Sequence, residues 1–444
     1  MNYQDLTEQL VKKCINKGAD ASEIFLGNNR SLSIRVRNGE IETITESSSR
    51  GVGFRVFKQN RMAFSHCNDL SESSLDNAVS RAVSFAGSTT ADENNVIPSE
   101  KGISEVSGLF DPQIVQISMD RKISLAKEAE KSAMRDERIT KSGGSSYSEN
   151  EAETFLANSN GLSKSYRSTR CGFSVYVVAE KDEQKSSGEE SCSRRFFTDL
   201  KPAGEVAEKA AESAYEMLDP RMVKTQRAAV VFHPDAARAL LGGILGAVNG
   251  ERVLQGASFL GDKKDQAIGS ELIHLIDDGV REKGLASRPF DGEGVPTRRE
   301  VIVENGILRA FMYNTIVARR AGTQSTGNAA RGGFTSLPGI GPHNFYLDAG
   351  EHTPEEIIAG TPGGLWVRGV TGYGINPVNG NFSGGVSGFW IENGKAVFPV
   401  KGLTIAGSAF QMLTDIDMVG NDLDLNRSFT APTFRIKEMQ IGGD

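Results

Sequence analysis

NPVNGNFSGGVSGFWIENGKAVFPVKGLTIAG, residues 376–407, holds a glycine-rich bend, an Asn-Gly turn and two alternating apolar strands in one short span. Phe389 and Ile391 on the first strand, and Val397 and Pro399 on the second, mark the apolar side of a half-buried antiparallel pair. Asn393-Gly394 between them supplies the positive φ values that a two-residue type I′ turn requires. A β-rich C-terminal region follows from this reading.

Upstream, residues 300–304 and 307–312 flank Asn305-Gly306 as a further hairpin, and a strand at 227–232 leads into a helix at 234–248. Near the N-terminus an amphipathic helix spans 3–17, with Leu6, Leu10, Val11 and Cys14 on one face. Strands at 31–37 and 40–46 flank Asn38-Gly39, and 51–57 pairs with 61–65. Leu75, Val79, Ala82, Val83 and Ala86 recur at helical spacing over 72–86. Residues 89–107 are polar and aperiodic, and read as a connection. A helix at 120–134 precedes a strand-rich stretch, 140–197, with a hairpin at Asn160-Gly161. Another helix, 206–217, ends just before Pro220. The segment 218–225 then divides an N-terminal α+β domain of antiparallel hairpins and amphipathic helices, 1–220, from a β-rich C-terminal domain, 221–444. Without regular βαβ alternation the fold class is α+β.

At 444 residues the chain exceeds one typical core. Hydrophobic content of 38% and charged content of 24% fit a folded globular protein. Glycine, at 49 residues against 14 prolines, points to many tight bends. A net charge of −7 argues against nucleic-acid binding through the overall field, and no basic cluster with interleaved aromatics stands out. The opening MNYQDLTEQLVKK lacks a basic segment followed by an apolar core, so no secretory signal is expected. The longest apolar run, 236–248, is too short to span a membrane. Cys14, Cys67, Cys171 and Cys192 have no C-x-x-C spacing and are expected to be free thiols in the cytoplasm.

The order of several motifs over some 400 residues resembles the TldD/PmbA family, the group labelled modulators of DNA gyrase. The motifs are the stretch quoted above, Ser325-Thr-Gly-Asn-Ala-Ala-Arg331, Val36-Arg-Asn-Gly-Glu-Ile41, and HPDAARALLGGILGAVNGERVLQGASF at 233–259 followed by LIDDG. The resemblance implies a metallopeptidase built from two related subunits. In the TldD-type subunit the helix matching 234–248 carries H-E-x-x-x-H, whose histidines bind zinc and whose glutamate is the general base. Here Gly242, Gly243 and Ala247 stand at those three positions, and none can ligate a metal or move a proton. The active subunit also uses a cysteine near its C-terminus, whereas no cysteine follows Cys192 here. The resemblance therefore implies the metal-free, PmbA-type (TldE-type) subunit. No catalytic or metal-binding residue and no cofactor is expected in this chain; zinc is expected in a TldD-type partner. The substrate implied is an unfolded peptide held in a shared chamber, and a homodimer is an option for the chain in isolation. The bend at 381–388 and the segment 326–333 are the candidate groove lining, with Asn328, Arg331, Phe382, Ser383, Gly384 and Gly385 as peptide-binding candidates.

Gly242, Gly246 and Gly250 recur every fourth residue and lie near one face of their helix. Each glycine costs a helix ~1 kcal/mol relative to alanine, so a compensating close contact is expected. That contact is either a partner or peptide backbone, or the chain's own sheet. Two other classes stay open. The chain is a stand-alone peptide-binding or regulatory protein behind the gyrase label, or a peptidase whose ligands assemble from both halves, such as His66, His233 and Asp277. His66, His233, His274, His343 and His352 show no local metal spacing, and no G-x-S-x-G occurs.

Overall fold

The computed structural model describes residues 2–372 and 374–444. Strand outweighs helix, 41% against 23% of residues, in an α+β arrangement of mainly antiparallel sheets.

The first helix, α1 (Tyr3–Asn16), starts where the Asn2 side chain accepts from the Gln4 N–H, and buries Leu6, Leu10, Val11 and Cys14. Then come β1 (Ala21–Arg37), β2 (Glu40–Lys58), β3 (Arg61–Cys67), α2 (Glu72–Ala86), α3 (Met119–Ala133), β4 (Ile139–Asn158), β5 (Ser163–Lys181), β6 (Gln184–Arg194) and α4 (Ala203–Tyr215). The six strands form one sheet in the order β3-β2-β1-β4-β5-β6, antiparallel throughout. Alternation along β1 decides its two faces. Ile24, Leu26, Leu32, Ile34 and Val36 point to the helices; the first two join the core under α1 and α2, the last three that under α3 and α4. Glu23, Phe25 and Gly27 point the other way, toward the C-terminal half. There Gly51 and Gly53 of β2 lie so close to Phe334 that a Cβ at either would overlap it.

The sequence reading needs correction in this half. Strands 40–46 and 51–57 are one strand, because β1 pairs with β2 straight through the polar Ser47-Ser48-Ser49 run. The hairpin read at Asn160-Gly161 is present and joins β4 to β5, with Asn158 N–H bonding Leu162 O at 2.9 Å across its loop. A hairpin at 182–183 joins β5 to β6.

The C-terminal half runs β7 (Gln226–Phe232), α5 (Pro234–Ala247), α6 (Gly250–Leu254), β8 (Leu275–Asp278), β9 (Arg299–Glu304), β10 (Ile307–Leu308), α7 (Thr315–Arg320), β11 (Ala329–Ala330), β12 (Gly339–Ile340), β13 (Asn344–Leu347), α8 (Pro354–Ala359), β14 (Gly363–Thr371), β15 (Asn381–Glu392), β16 (Lys395–Ser408), α9 (Ala409–Thr414), β17 (Ile416–Val419), β18 (Phe429–Thr430) and β19 (Phe434–Gly442). Strands β16-β15-β14-β7-β19 are neighbours in that order, and β16 also pairs with β19, so the five close into a ring. A smaller sheet has the order β10-β9-β8-β13-β18. Two pairs are parallel, β7 with β14 and β13 with β18.

Asn393 and Gly394 have φ of 50° and 74°, as the type I′ turn requires. The strands it joins bury other residues than the alternation implies. Trp390 and Phe398 are register partners facing the core, while Val397 is 52% exposed. Trp390 and Ile391 are both buried because both faces of the sheet are covered, Trp390 in the ring's core and Ile391 against Val231 and Ile357 on the other side; the bulge at this point adds a residue to β16. The strand read at 307–312 is short, and beyond Leu308 the chain turns away.

Candidate functional site

Helix α5 begins at His233, whose Nδ1 accepts from the Asp235 N–H at 3.3 Å. Burial, then the nearby Arg368 charge, pushes this imidazole down to about 4, so it is neutral and able to cap at physiological pH. Asp235 is ion-paired to Arg427, which also lies 3.8 Å from Glu190 of the N-terminal sheet. The helix buries Ala236, Ala237, Leu240, Leu241, Gly243, Ile244 and Ala247.

Residues 374–380 are laid across this helix. Asn376 N–H bonds Asn381 O at 2.8 Å, Gly380 N–H bonds Asn376 O at 2.9 Å, and Phe259 N–H bonds Pro377 O at 3.0 Å. Ile375, buried, sits on Gly243: a Cβ at that glycine would overlap the Ile375 side chain and carbonyl oxygen. A Cβ at Gly246 would meet Pro377 at 3.0 Å, and one at Gly250 would overlap the Tyr313 ring. The close contact that these glycines permit is therefore made by the chain's own backbone and side chains. At Gly242, a Cβ would meet nothing within 4 Å among the described residues.

These residues do not fit a metal. Gly242, Gly243 and Ala247 bring no donor atom, and the room a glutamate would need at position 243 is filled by Ile375. Among the described residues no group of three or more His, Cys, Asp or Glu side chains is placed to hold a metal. His66, on β3, packs beside Phe64 and Phe334, and His233 caps α5. Asp277, on β8, accepts from His343 N–H at 2.7 Å and contacts His343 Nδ1 at 3.0 Å. The fold does not gather the three.

The groove candidates fall into two separate settings. Asn328 is buried, and its amide donates to Asp277 Oδ2 at 2.7 Å and Gly341 O at 3.2 Å. Arg331 is buried against the N-terminal sheet, ion-paired to Glu23, with Nε donating to Gly292 O at 2.6 Å. Phe382 and Gly384 lie in the closed ring, Gly385 is half-buried, and Ser383 is exposed. Gly385 pairs with Thr371 on one side and Thr404 on the other, so its backbone is already flanked by strands.

Arg331 belongs to an ion network that the sequence reading missed. Arg55 of β2, 1% exposed, donates to Glu23 Oε2 at 2.7 Å and to Glu293 Oε1 at 2.6 Å. Glu293 Oε2 accepts from Thr315 N–H at 2.8 Å. Burial alone would raise the Glu293 pKa, but the Arg55 charge and the Thr315 bond overcome it and hold the group below the usual range. Asp291, beside it, accepts from Glu293, Val295 and Ala329 N–H at 2.8, 3.0 and 2.9 Å. Burial, then the Glu293 charge, nevertheless pushes Asp291 up to about 7. The signal available in the sequence was the pair of carboxylates in Phe290-Asp-Gly-Glu-Gly-Val295, set among glycines and apolar residues.

Models of three domains match in chain order: PmbA/TldA metallopeptidase domain 1 over 22–86, the central domain over 112–218 and the C-terminal domain over 225–443. Metalloprotease PmbA of Escherichia coli O157:H7 is 30% identical over 96% of this chain and 93% of its own length. The chain belongs to the PmbA/TldD metallopeptidase family. A PmbA homologue of Haemophilus influenzae is 29% identical over 96% of this chain and 93% of its own. A Thermotoga maritima structure named "putative modulator of a DNA gyrase" superposes with a TM-score of 0.89 at 25% identity, covering 99% of this chain and 100% of that one. TldE from Thermococcus kodakarensis shares the fold, with a TM-score of 0.90 at 24% identity over 98% of this chain and 99% of its own. The whole PmbA/TldD fold is thus present, with α5 glycine-rich and covered by residues 374–380. No helix among the described residues is long and apolar enough to cross a membrane.

Proposed function

We propose that this chain is the metal-free subunit of a two-subunit, cytoplasmic peptidase of the PmbA/TldD family. It pairs with a TldD-type subunit that carries the zinc, forms one wall of the chamber, and helps hold unfolded peptides there. The observation that carries this reading is Gly243: it stands where the general base would be, and Ile375 fills the space that such a side chain needs. The names of the curated relatives, metalloproteases, describe those proteins; in this chain the residues at the slot carry no metal chemistry. Of the peptide-contact candidates, Ser383 is open to solvent, while Asn328, Arg331 and Phe382 shape the surface from beneath.

The test is hydrolysis of an unfolded peptide by this chain, by a purified TldD-type partner, and by both together. The expected result is background turnover alone and more turnover by the pair than by the partner. Chelator-sensitive turnover by the isolated chain, or a pair no faster than the partner, would sink the proposal.

A further inference from the structure

The face of the N-terminal sheet away from its helices carries a cleft of about 250 Å³. Its floor is the β4–β5 ladder, where Asn150 and Arg170 are register partners and Ser168 and Tyr166 follow along β5. Its roof is the segment 285–288 from the C-terminal half. Three guanidinium groups line it, those of Arg170, Arg195 and Arg288, and no carboxylate does. The chain as a whole has a net charge of −7, so this local excess of positive charge runs against its overall balance.

Arg195 ties floor to roof. It donates to Thr169 O at 3.1 Å, Gly284 O at 2.9 Å, Leu285 O at 2.9 Å and Ser287 O at 3.2 Å. Carbonyl dipoles satisfy its N–H groups but leave its net charge uncancelled. Burial pushes Arg195 down to about 10; Tyr166 opposes this, and the charges of Arg288 and Arg170 add to it. Among the described residues Arg170 and Arg288 make only long side-chain bonds, to Ser193 Oγ at 3.4 Å and Ala286 O at 3.5 Å, so both keep donors for a ligand. A charged hollow near α4 differs in this respect. Its Arg194, Lys201, Lys209 and Arg427 share the lining with Glu190, Glu205 and Asp424, which offset most of their charge.

The cleft continues past Tyr166 and Arg288 into a second cavity of about 170 Å³, bounded by Phe25, Gly27, Thr154, the Asp291 carboxyl and residues 331–333. Together they cross from β5 over β4 to β1. Two strand spacings make this about 10 Å, the length of about three extended residues.

We propose that the arginine-lined cleft is a subsite for a carboxylate of an extended peptide, its C-terminal carboxylate or an acidic side chain. Arg170 and Arg288 donate to the two oxygens, and Arg195 supplies positive charge from beneath. The preceding residues of the peptide lie along the track toward Gly27. This inference rests on the peptide-holding role given above.

Fluorescence anisotropy of the full chain at low ionic strength tests it, using three short Gly/Ser/Ala peptides with an uncharged dye. One ends in a free carboxylate, one in an amide, and one in an amide with a single internal Glu. At least one carboxylate peptide should bind tenfold or more tightly than the plain amide, and which one does identifies the source of the group. The preference should fall below twofold in Arg170→Ala, at an exposed position, and in Arg288→Gln. Equal affinity for all three peptides, no binding of any, or a preference retained in both variants overturns the subsite. Stimulation of the partner's turnover of the plain amide judges the paired-subunit reading separately. Stimulation without a carboxylate preference removes the subsite alone; a preference without stimulation removes the pairing alone.

Discussion

A methyl group separates two neighbouring glycines of α5 in opposite directions. At Gly242 it meets nothing within 4 Å among the described residues, so Gly242→Ala should stabilise the protein by ~0.5–1 kcal/mol through helix propensity. At Gly243 it runs into the Ile375 backbone, and Gly243→Ala should cost ~1–3 kcal/mol as overpacking. Urea midpoints of the two variants check both signs; two shifts of the same sign would mean that residues 374–380 do not lie on the helix. Asp291 supplies a pH dependence. Its folded pKa of about 7 lies above the ordinary 3.8, so the folded state binds its proton more tightly than the unfolded chain does. This contribution is fully present below about pH 4, declines as pH rises, and is gone once pH passes about 7. Asp291→Asn loses acceptor capacity and is less stable throughout, but its stability should fall less between pH 4 and 7 than that of the unmodified chain. Parallel curves would refute the assignment. That Gly242, Gly243 and Ala247 bring no donor atom is plain from residue identity; the packing of Ile375 on Gly243 was not legible, because it depends on a loop more than a hundred residues away in sequence.

At the level of elements, the β1–β2 hairpin shows how one cross-strand pair divides between core and water. Ile34 and Ile44 are register partners, yet Ile34 is buried beneath the helices and Ile44 is 45% exposed. Ile34→Ala should cost ~2–4 kcal/mol and Ile44→Ala less than ~0.5 kcal/mol, read as shifts in denaturation midpoint. Comparable losses would show that the outer strand is covered. The Asn-Gly turn of this hairpin was legible, since Asn38 and Gly39 have φ of 53° and 77°, and α2 occupies the span its apolar spacing marks out. The Glu130 carboxylate that accepts both turn N–H groups, at 2.8 Å each, was not, for it arrives from α3. Nor was the continuity of β2 through three serines, which the hydrogen bonds of β1 impose whatever the local propensity. The buried faces of β15 and β16 were misread for a related reason: both faces of β15 are covered, with Phe382, Val386 and Trp390 in the ring's core and Ile391 against α8, and the bulges opposite 386/388 and 390/391 add residues to β16. The arginine cleft left no sequence signal, because Arg170, Arg195 and Arg288 come from separate segments.

Across the whole molecule, the halves meet through buried charge. Arg55 and Glu23 come from one half; Glu293, Asp291 and Arg331 come from the other. Arg55→Met leaves Glu293 buried without its cation, and Glu23 with Arg331 alone, and should cost ~3–5 kcal/mol, measurable by denaturant unfolding; a loss under ~1 kcal/mol would mean that water reaches the network. Arg55 and Glu293 are 238 residues apart in sequence, and Arg331 and Glu23 are 308 apart. At ~5–20 residues per second of synthesis, Glu293 emerges roughly 10–50 s after Arg55. From the completion of α4 at Tyr215 until Phe334 is made, roughly 6–24 s at the same rate, one face of the first sheet has its helices while the other, with Phe25 and the hollow at Gly51 and Gly53 that receives Phe334, stands open. On the ribosome the nascent protein is therefore sealed on one side only, and it waits for its own C-terminal half to close the other.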